Sequence, residues 1–214
     1  MIYDFSKRVL DIIGAVVGIT VFSLVMIVIA VAIKLDSQGP VFADTPKRVS
    51  KNGNLFKMYK FRSMFMGAHD MLHNDPKYKD LLIKYKTNNY KLELNEDPRI
   101  TRVGKYIRKT SLDELPQFFN ILNGEMSLVG PRAYYPFELE EQQQKYPESQ
   151  TFVKIILKAK PGLTGLWQIS GRSNINFDAR VKLDAEYVQK RNVLFDLWII
   201  LKTFPAVLTA RGAV

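Results

Sequence analysis

From Ile12 to Ile33 the chain has no charged side chain. As a helix this stretch of about 22 residues, rising about 1.5 Å per residue, reaches across the ~30 Å hydrocarbon core of a bilayer. It is longer than the apolar core of a secretory signal peptide and leads into Lys34 without a small-residue cleavage pattern, which sets it apart from a leader. Lys7 and Arg8 precede the run, and Lys34, Lys47, Arg48 and Lys51 follow it, so both flanks carry the basic signature of a cytoplasmic face. A straight spanning helix separates its flanks, whereas one that enters, bends and returns keeps them on one side. Gly14, Gly18 and Ser23 ease a bend, yet the run holds no proline. Both topologies stay open, and the predicted division is a membrane helix over 1–36 and a body over 37–214.

A second apolar stretch, Leu194 to Leu208, is interrupted by Asp196, Lys202 and Pro205 and is too short to span comfortably. Leu194, Leu197, Trp198 and Leu201 fall at helical spacing. The pattern predicts an amphipathic helix, lying in the membrane interface or packed on the core.

Between these stretches, Gly39-Pro40-Val41-Phe42 and the turn Lys51-Asn52-Gly53-Asn54 bracket short strands. In Leu55 to Arg62 alternation puts Phe56, Met58, Lys60 and Arg62 on one face and Leu55, Lys57, Tyr59 and Phe61 on the other. Neither face is cleanly apolar, so Lys60 and Arg62 either line a polar site or are solvated edge charges. Pro76 to Asp97 reads as a polar excursion with a short helix. His69 and His73 share a helix face, but no third ligand stands at matching spacing, and both read as surface residues.

Composition narrows the classes. A chain of 214 residues without cysteine is one domain, or one domain plus a membrane element, with no disulfide, thiolate metal site or cysteine nucleophile. Its 31 basic against 21 acidic side chains, a net charge of +10, call for an anionic partner: phosphate, phospholipid or nucleic acid. No nucleic-acid motif is evident. The basic residues gather after the apolar N-terminal run and around the central motifs, as a juxtamembrane surface does.

The run from Arg108 to Leu122 carries the most chemistry. Ser111 and Glu114 match a helix capping box, but a helix capped by Ser111 would place Pro116 where a ladder bond is lost. A start at Asp113 brings Pro116 into the first turn. Either way Asp113 sits at a positive helix end beside Arg108 and Lys109, where a carboxylate is favoured and phosphate attracted. A carboxylate so placed can attack phosphorus, and splitting a transfer in two avoids bringing two anionic substrates together. Glu114 is positioned to hold magnesium or to accept a proton. Simple capping accounts for the same pair equally well.

Downstream, Gly130-Pro131-Arg132 aims an arginine suited to bidentate phosphate recognition. Lys160 to Arg172 alternates turn formers with apolar residues, as a tight loop with Trp167 buried does. Gln168 and Arg172 there either meet a nucleotide or are exposed residues of a structural loop.

Together these runs resemble the bacterial sugar transferase family, the monotopic polyprenol-phosphate phosphoglycosyl transferases that begin glycan assembly on undecaprenyl phosphate. The likeness covers nearly the whole chain. It lies in Lys7-Arg8-Val9-Leu10-Asp11, Ile33-Lys34-Leu35 with Gly39-Pro40-Val41-Phe42, and Lys60-Phe61-Arg62-Ser63-Met64. It continues in Asp113-Glu114, Val129-Gly130-Pro131-Arg132 and Lys160-Pro161-Gly162-Leu163-Thr164-Gly165. Each motif is weak alone; their order and joint presence are specific.

The resemblance implies an α+β, mostly helical monotopic membrane protein, with a re-entrant or spanning N-terminal helix, short strands and interfacial amphipathic helices. It implies a ping-pong reaction in which Asp113 attacks the β-phosphate of a UDP-sugar, releases UMP and holds the phosphosugar until polyprenol phosphate takes it. Glu114 assists, and magnesium is required, with Asp113 and Glu114 as its ligands. Lys60, Arg62, Arg132 and Arg172 fall in matching motifs as substrate contacts, joined by Arg108 and Gln168 on the chemistry above. Asp184, in Asp184-Ala185-Glu186-Tyr187, also matches a family position. The expected partners are a UDP-sugar, polyprenol phosphate and membrane phospholipid, without nucleic acid; homo-oligomerisation stays open. The expected place is the bacterial cytoplasmic membrane, with the site facing the cytoplasm.

This chain resembles the minimal form, without the large N-terminal membrane domain of some relatives. Two departures stand out: the family's membrane helix has a Ser-Pro pair where Ser23 is followed here by Leu24, and Ser50 replaces a common glycine. The competing class is a membrane-anchored adaptor that holds anionic partners without catalysis; it explains charge and anchor but not an acidic pair set among arginines.

Overall fold

The computed structural model describes residues 2–88, 92–171 and 175–208, with all side chains there except those of His69, Phe204 and residues 206–208. It is mostly helical, with four short strands among the described residues. In chain order the elements are α1 (Ile2–Asp36), β1 (Arg48–Val49), β2 (Leu55–Phe56), α2 (Ala68–Asn74), α3 (Lys79–Thr87), α4 (Arg102–Lys109) and α5 (Gln117–Leu122). They continue with β3 (Ser127–Val129), α6 (Pro136–Lys145), α7 (Ser149–Ile156), β4 (Gly162–Thr164), α8 (Leu166–Ile169), α9 (Phe177–Lys190) and α10 (Val193–Leu208).

Helix α1 runs well past the uncharged stretch at both ends, because its terminal polar residues find partners on the body. Lys7 Nζ lies 2.8 Å from Asp196 Oδ2, and Arg8 donates at 2.7 Å to the carbonyls of Ile121 and Leu122. The Asp11 carboxylate accepts from Ser127 Oγ and the Leu128 N–H at 2.8 and 2.9 Å. At the other end Asp36 accepts the Val103 N–H at 3.0 Å. Between these anchored ends, Thr20 to Val25 are all exposed. With 35 residues the helix is about 52 Å long at 1.5 Å per residue, and it is apolar and long enough to cross a membrane. Gly14 and Gly18 serve close packing: a methyl group there would collide with Leu128 and Phe118.

The strands are shorter than the alternation predicts. β1 and β2 pair antiparallel, Arg48 opposite Phe56, and β3 and β4 pair parallel, Ser127 opposite Gly162. Alternating burial holds from Leu55 to Met58 and then breaks, since Phe61 is buried and stacked on Phe42. The reason is that backbone donors leave the ladder: the Tyr59 N–H goes to Asn120 Oδ1 and the Phe61 N–H to the Asp113 carbonyl.

Without a large sheet, the core forms as patches between helices. One joins Ala15 of α1 to Phe118, Ile121 and Met126, and another joins Ile29 and Ile33 to Phe61 and Ile107. A third lies under α7 and α9, around Tyr134, Val153 and Val181. Helix α10 is two-faced, as its pattern predicts. Ile199 faces the core, while Leu194, Leu197, Trp198 and Leu201 stay exposed. Its Asp196 is fully buried and takes bonds from Tyr3, Lys7 and Tyr187. The polar excursion carries α3 and closes on a buried pair in which Arg99 holds both Asp97 oxygens, at 2.8 and 2.7 Å.

Candidate active site

A cleft of about 900 Å³ opens between the Leu55–Met66 segment, the Leu112–Glu114 turn and the loops after β3 and β4. Asp113 and Glu114 lie in a 3₁₀ turn over Leu112–Glu114, ahead of α5, rather than in the first turn of a helix. Ser111 sits in the left-handed region at φ 57° and makes no side-chain cap, so the capping box, one of the two readings of this run, does not form. Pro116 instead takes the residue before α5. Leu112 and Leu115, three apart, pack into the apolar patch behind the turn and leave Asp113 and Glu114 lining the cleft.

The charge facing this pair is a lysine rather than a helix end. Lys60 Nζ lies 2.7 Å from Glu114 Oε1 and 3.6 Å from Asp113 Oδ2. Burial pushes the Asp113 carboxyl above its ordinary value; Lys60 pulls it back down, and Glu114 pushes it up again. For Lys60 burial works against the charge, but Glu114 and Asp113 outweigh it and hold the ammonium above its usual range. An ionised Asp113 therefore depends on Lys60 first and Arg108 after it, and little water competes for it: its side chain is 11% exposed.

The remaining predicted residues divide. Arg108, Arg132 and Gln168 line the same cleft. The Arg132 guanidinium stands over the Trp167 ring at 5.2 Å, and its Nε is buried without a partner. Trp167, expected inside a tight loop, is half-buried on the short α8 and lines the cleft as well.

Arg62 borders the cleft, but all its N–H donors turn towards the end of α1: Nε to the Pro40 carbonyl at 2.7 Å, Nη1 to Ser37 Oγ and the Gln38 carbonyl, Nη2 to the Ser37 and Ile33 carbonyls. It acts as the C-terminal cap of α1, satisfying carbonyls that a helix end leaves open. Asp184 is fully buried and outside the cleft lining; its Oδ2 accepts the Arg132 N–H and the Tyr134 hydroxyl, each at 3.1 Å, so it holds the loop that carries Arg132. Burial raises its carboxyl to about 7, against those two hydrogen bonds and Arg180. Arg172 lies outside the described residues, as does the side chain of His69. Among the described residues no group of three or more His, Cys, Asp or Glu could hold a metal ion.

One residue was hidden in the sequence. Arg48 counted there as part of the basic membrane flank, but it is 7% exposed and lines the cleft. The available signal was its place one step before Val49 in a turn-bounded strand, where alternation sends one side chain inward.

Comparison with known proteins gives one consistent picture. The family model for bacterial sugar transferases matches residues 2–210. The galactosyl transferase CpsE of Streptococcus agalactiae serotype III is 45% identical over 97% of this chain and 43% of its own length. An undecaprenyl-phosphate galactose phosphotransferase of Salmonella typhimurium is 41% identical over 98% of this chain and 42% of its own. The exopolysaccharide production protein ExoY of Rhizobium meliloti is 39% identical over 97% of this chain and 88% of its own. The chain thus spans less than half the length of some of these relatives and most of another.

Proposed function

The chain belongs to the bacterial sugar transferase family, and from that premise we propose that it moves a phosphosugar from a UDP-sugar to polyprenol phosphate through a covalent Asp113 intermediate. The observation that carries this reading is a shielded aspartate and glutamate sharing one lysine inside a cleft large enough for a nucleotide sugar. An adaptor needs no such group. In the first step an Asp113 oxygen forms a bond to the β-phosphorus, and the bond from that phosphorus to the bridging oxygen breaks. UMP leaves with the electron pair. In the second step a polyprenol phosphate oxygen attacks the same phosphorus and the aspartyl carboxylate is restored.

Lys60 holds Asp113 ionised before attack and offsets charge on the phosphoryl oxygens as it proceeds. Once Lys60 turns to the phosphate, Glu114 can take the proton of an acceptor that arrives protonated. Arg132 and Arg108, on the cleft wall, suit the phosphates of the substrates. Magnesium usually takes one or two carboxylates together with substrate phosphates and water, and Asp113 and Glu114 fit that partial set. Bound there, it would neutralise the diphosphate.

Membrane association follows from α1. We read the helix as re-entrant, supported by both its ends being tied to one body while Thr20 to Val25 stand clear of it. Thr20 and Ser23 donate to the carbonyls of Val16 and Thr20, back-bonding of a kind that bends helices.

The test is UMP release from UDP-sugars by the purified chain with magnesium, with rapid quenching to trap a phosphosugar adduct. Asp113→Asn is expected to abolish both while leaving the fold intact. Full turnover in that variant would remove Asp113 as the nucleophile.

A further inference from the structure

The buried arginines of this protein differ in one respect. Arg62 has every donor engaged, and Arg99 makes a bidentate pair with Asp97 plus a bond to the Ala68 carbonyl. Arg48 is 7% exposed yet makes one hydrogen bond among the described residues, from Nη1 to the Ala133 carbonyl at 3.0 Å. Its guanidinium lies 3.2 Å from the centre of the Tyr135 ring, and its Nε is buried without a partner. It faces no carboxylate among the described ion pairs; the nearby Glu138 is engaged by Arg180.

Burying a cation without a counter-ion is unfavourable, and a second cation nearby makes it worse. Arg132 is that second cation. Burial, opposed by Tyr135 and reinforced by Arg132, pulls the Arg48 guanidinium below its ordinary value. The unsatisfied groups also concentrate here: of eight buried side-chain atoms without partners among the described residues, Thr45 Oγ1, Arg48 Nε, Arg132 Nε and Trp167 Nε1 belong to residues that line this one cleft. Donors and positive charge gathered without an acceptor describe a site for an oxyanion.

Two phosphates have a claim on the cleft, and position decides between them. Arg48 belongs to the wall built on α7 and α9, since Val49 packs into that patch and donates its N–H to the Tyr134 carbonyl. Helix α1 packs against α4, α5, β3 and α10; it backs the wall of the acidic pair through Phe61 and Leu112, and on the Arg48 side it meets Phe56 and Ala133 through Ala15. A lipid phosphate stays near the membrane helix; a soluble nucleotide has no such restriction.

We propose that Arg48 and Arg132 form the subsite that takes the nucleotide-side phosphate of the donor and keeps hold of it in the departing nucleoside monophosphate. This rests on the transferase reading above. It gives the cleft two ends, with the nucleotide on the α7–α9 side, the acceptor phosphate on the α1 side and the Asp113 carboxylate as the point of exchange.

The experiment is a calorimetric titration of the full chain in detergent with UMP, alongside steady-state kinetics for donor and acceptor. Arg48→Met is expected to weaken UMP about 10- to 100-fold, the loss of charge-assisted hydrogen bonds. It should raise donor KM by a similar factor and leave polyprenol phosphate KM unchanged. Should the methionine variant unfold, Arg48→Lys keeps the charge but lacks the Nε–H and the fork, and should fold and still lose about 10-fold in UMP affinity. Wild-type UMP affinity in a folded Arg48 variant, or a rise in acceptor KM alone, overturns the subsite while leaving the transferase reading in place. If neither the wild type nor Asp113→Asn binds UMP and no UDP-sugar is turned over, the underlying reading fails and the subsite with it.

Discussion

Replacing Asp184 by asparagine should flatten the pH dependence of this protein's stability. The carboxyl is fully buried and raised from 3.8 to about 7, by burial first, against the bonds from Arg132 and Tyr134. A group whose folded pKa lies above its unfolded one binds its proton more tightly in the folded state. Its stabilising contribution is complete below the unfolded value and is lost as pH rises through the folded value. The window here runs from about 4 to about 7, at about 1.4 kcal/mol per pH unit, or about 4 kcal/mol in all. Between pH 5.5 and 7 that is roughly 2 kcal/mol, about 4–8 °C in Tm for a chain of this size. Asparagine does not titrate but still offers an oxygen to both donors, so the variant is expected to lose the slope whatever its absolute level. Thermal unfolding of the full chain in one detergent, followed by tryptophan fluorescence across that range, reads the difference. Parallel curves for wild type and Asp184→Asn would refute the assignment of a neutral carboxyl behind the Arg132 loop.

Three further outcomes follow from the site and the anchor. Lys60→Met removes the cation that holds Asp113 down, so the acid limb of the pH–rate profile, already above the ordinary carboxylate range, should move to higher pH as the rate falls; an unmoved limb would separate Lys60 from Asp113. Arg62→Met strips the cap from α1 and leaves buried carbonyls open, at a cost of roughly 3 kcal/mol; a lower Tm with unchanged donor KM marks a structural role, and a selective rise in KM contradicts it. Single cysteines at Ile2 and Gln38 should be labelled from the same side of the membrane in intact cells, and opposite accessibility rejects re-entry.

The pattern of residues alone determined the apolar helix, the amphipathic C-terminal helix, the positive charge balance and the acidic pair proposed to carry the chemistry, because periodicity, net charge and adjacent motifs are local properties. It also singled out Arg132, which the fold places on the cleft wall. Tertiary structure decided the rest. Lys60 faces Asp113 from 53 residues away in the chain, and only the fold sets an ammonium 3.6 Å from that carboxylate. The same holds for the arginines, which look alike in sequence. Arg62 is turned into a helix cap by the carbonyls it meets, whereas Arg48, counted as a membrane flank, is buried beside Tyr135 with donors to spare. A guanidinium's role is set by which acceptors surround it, and those acceptors come from distant segments.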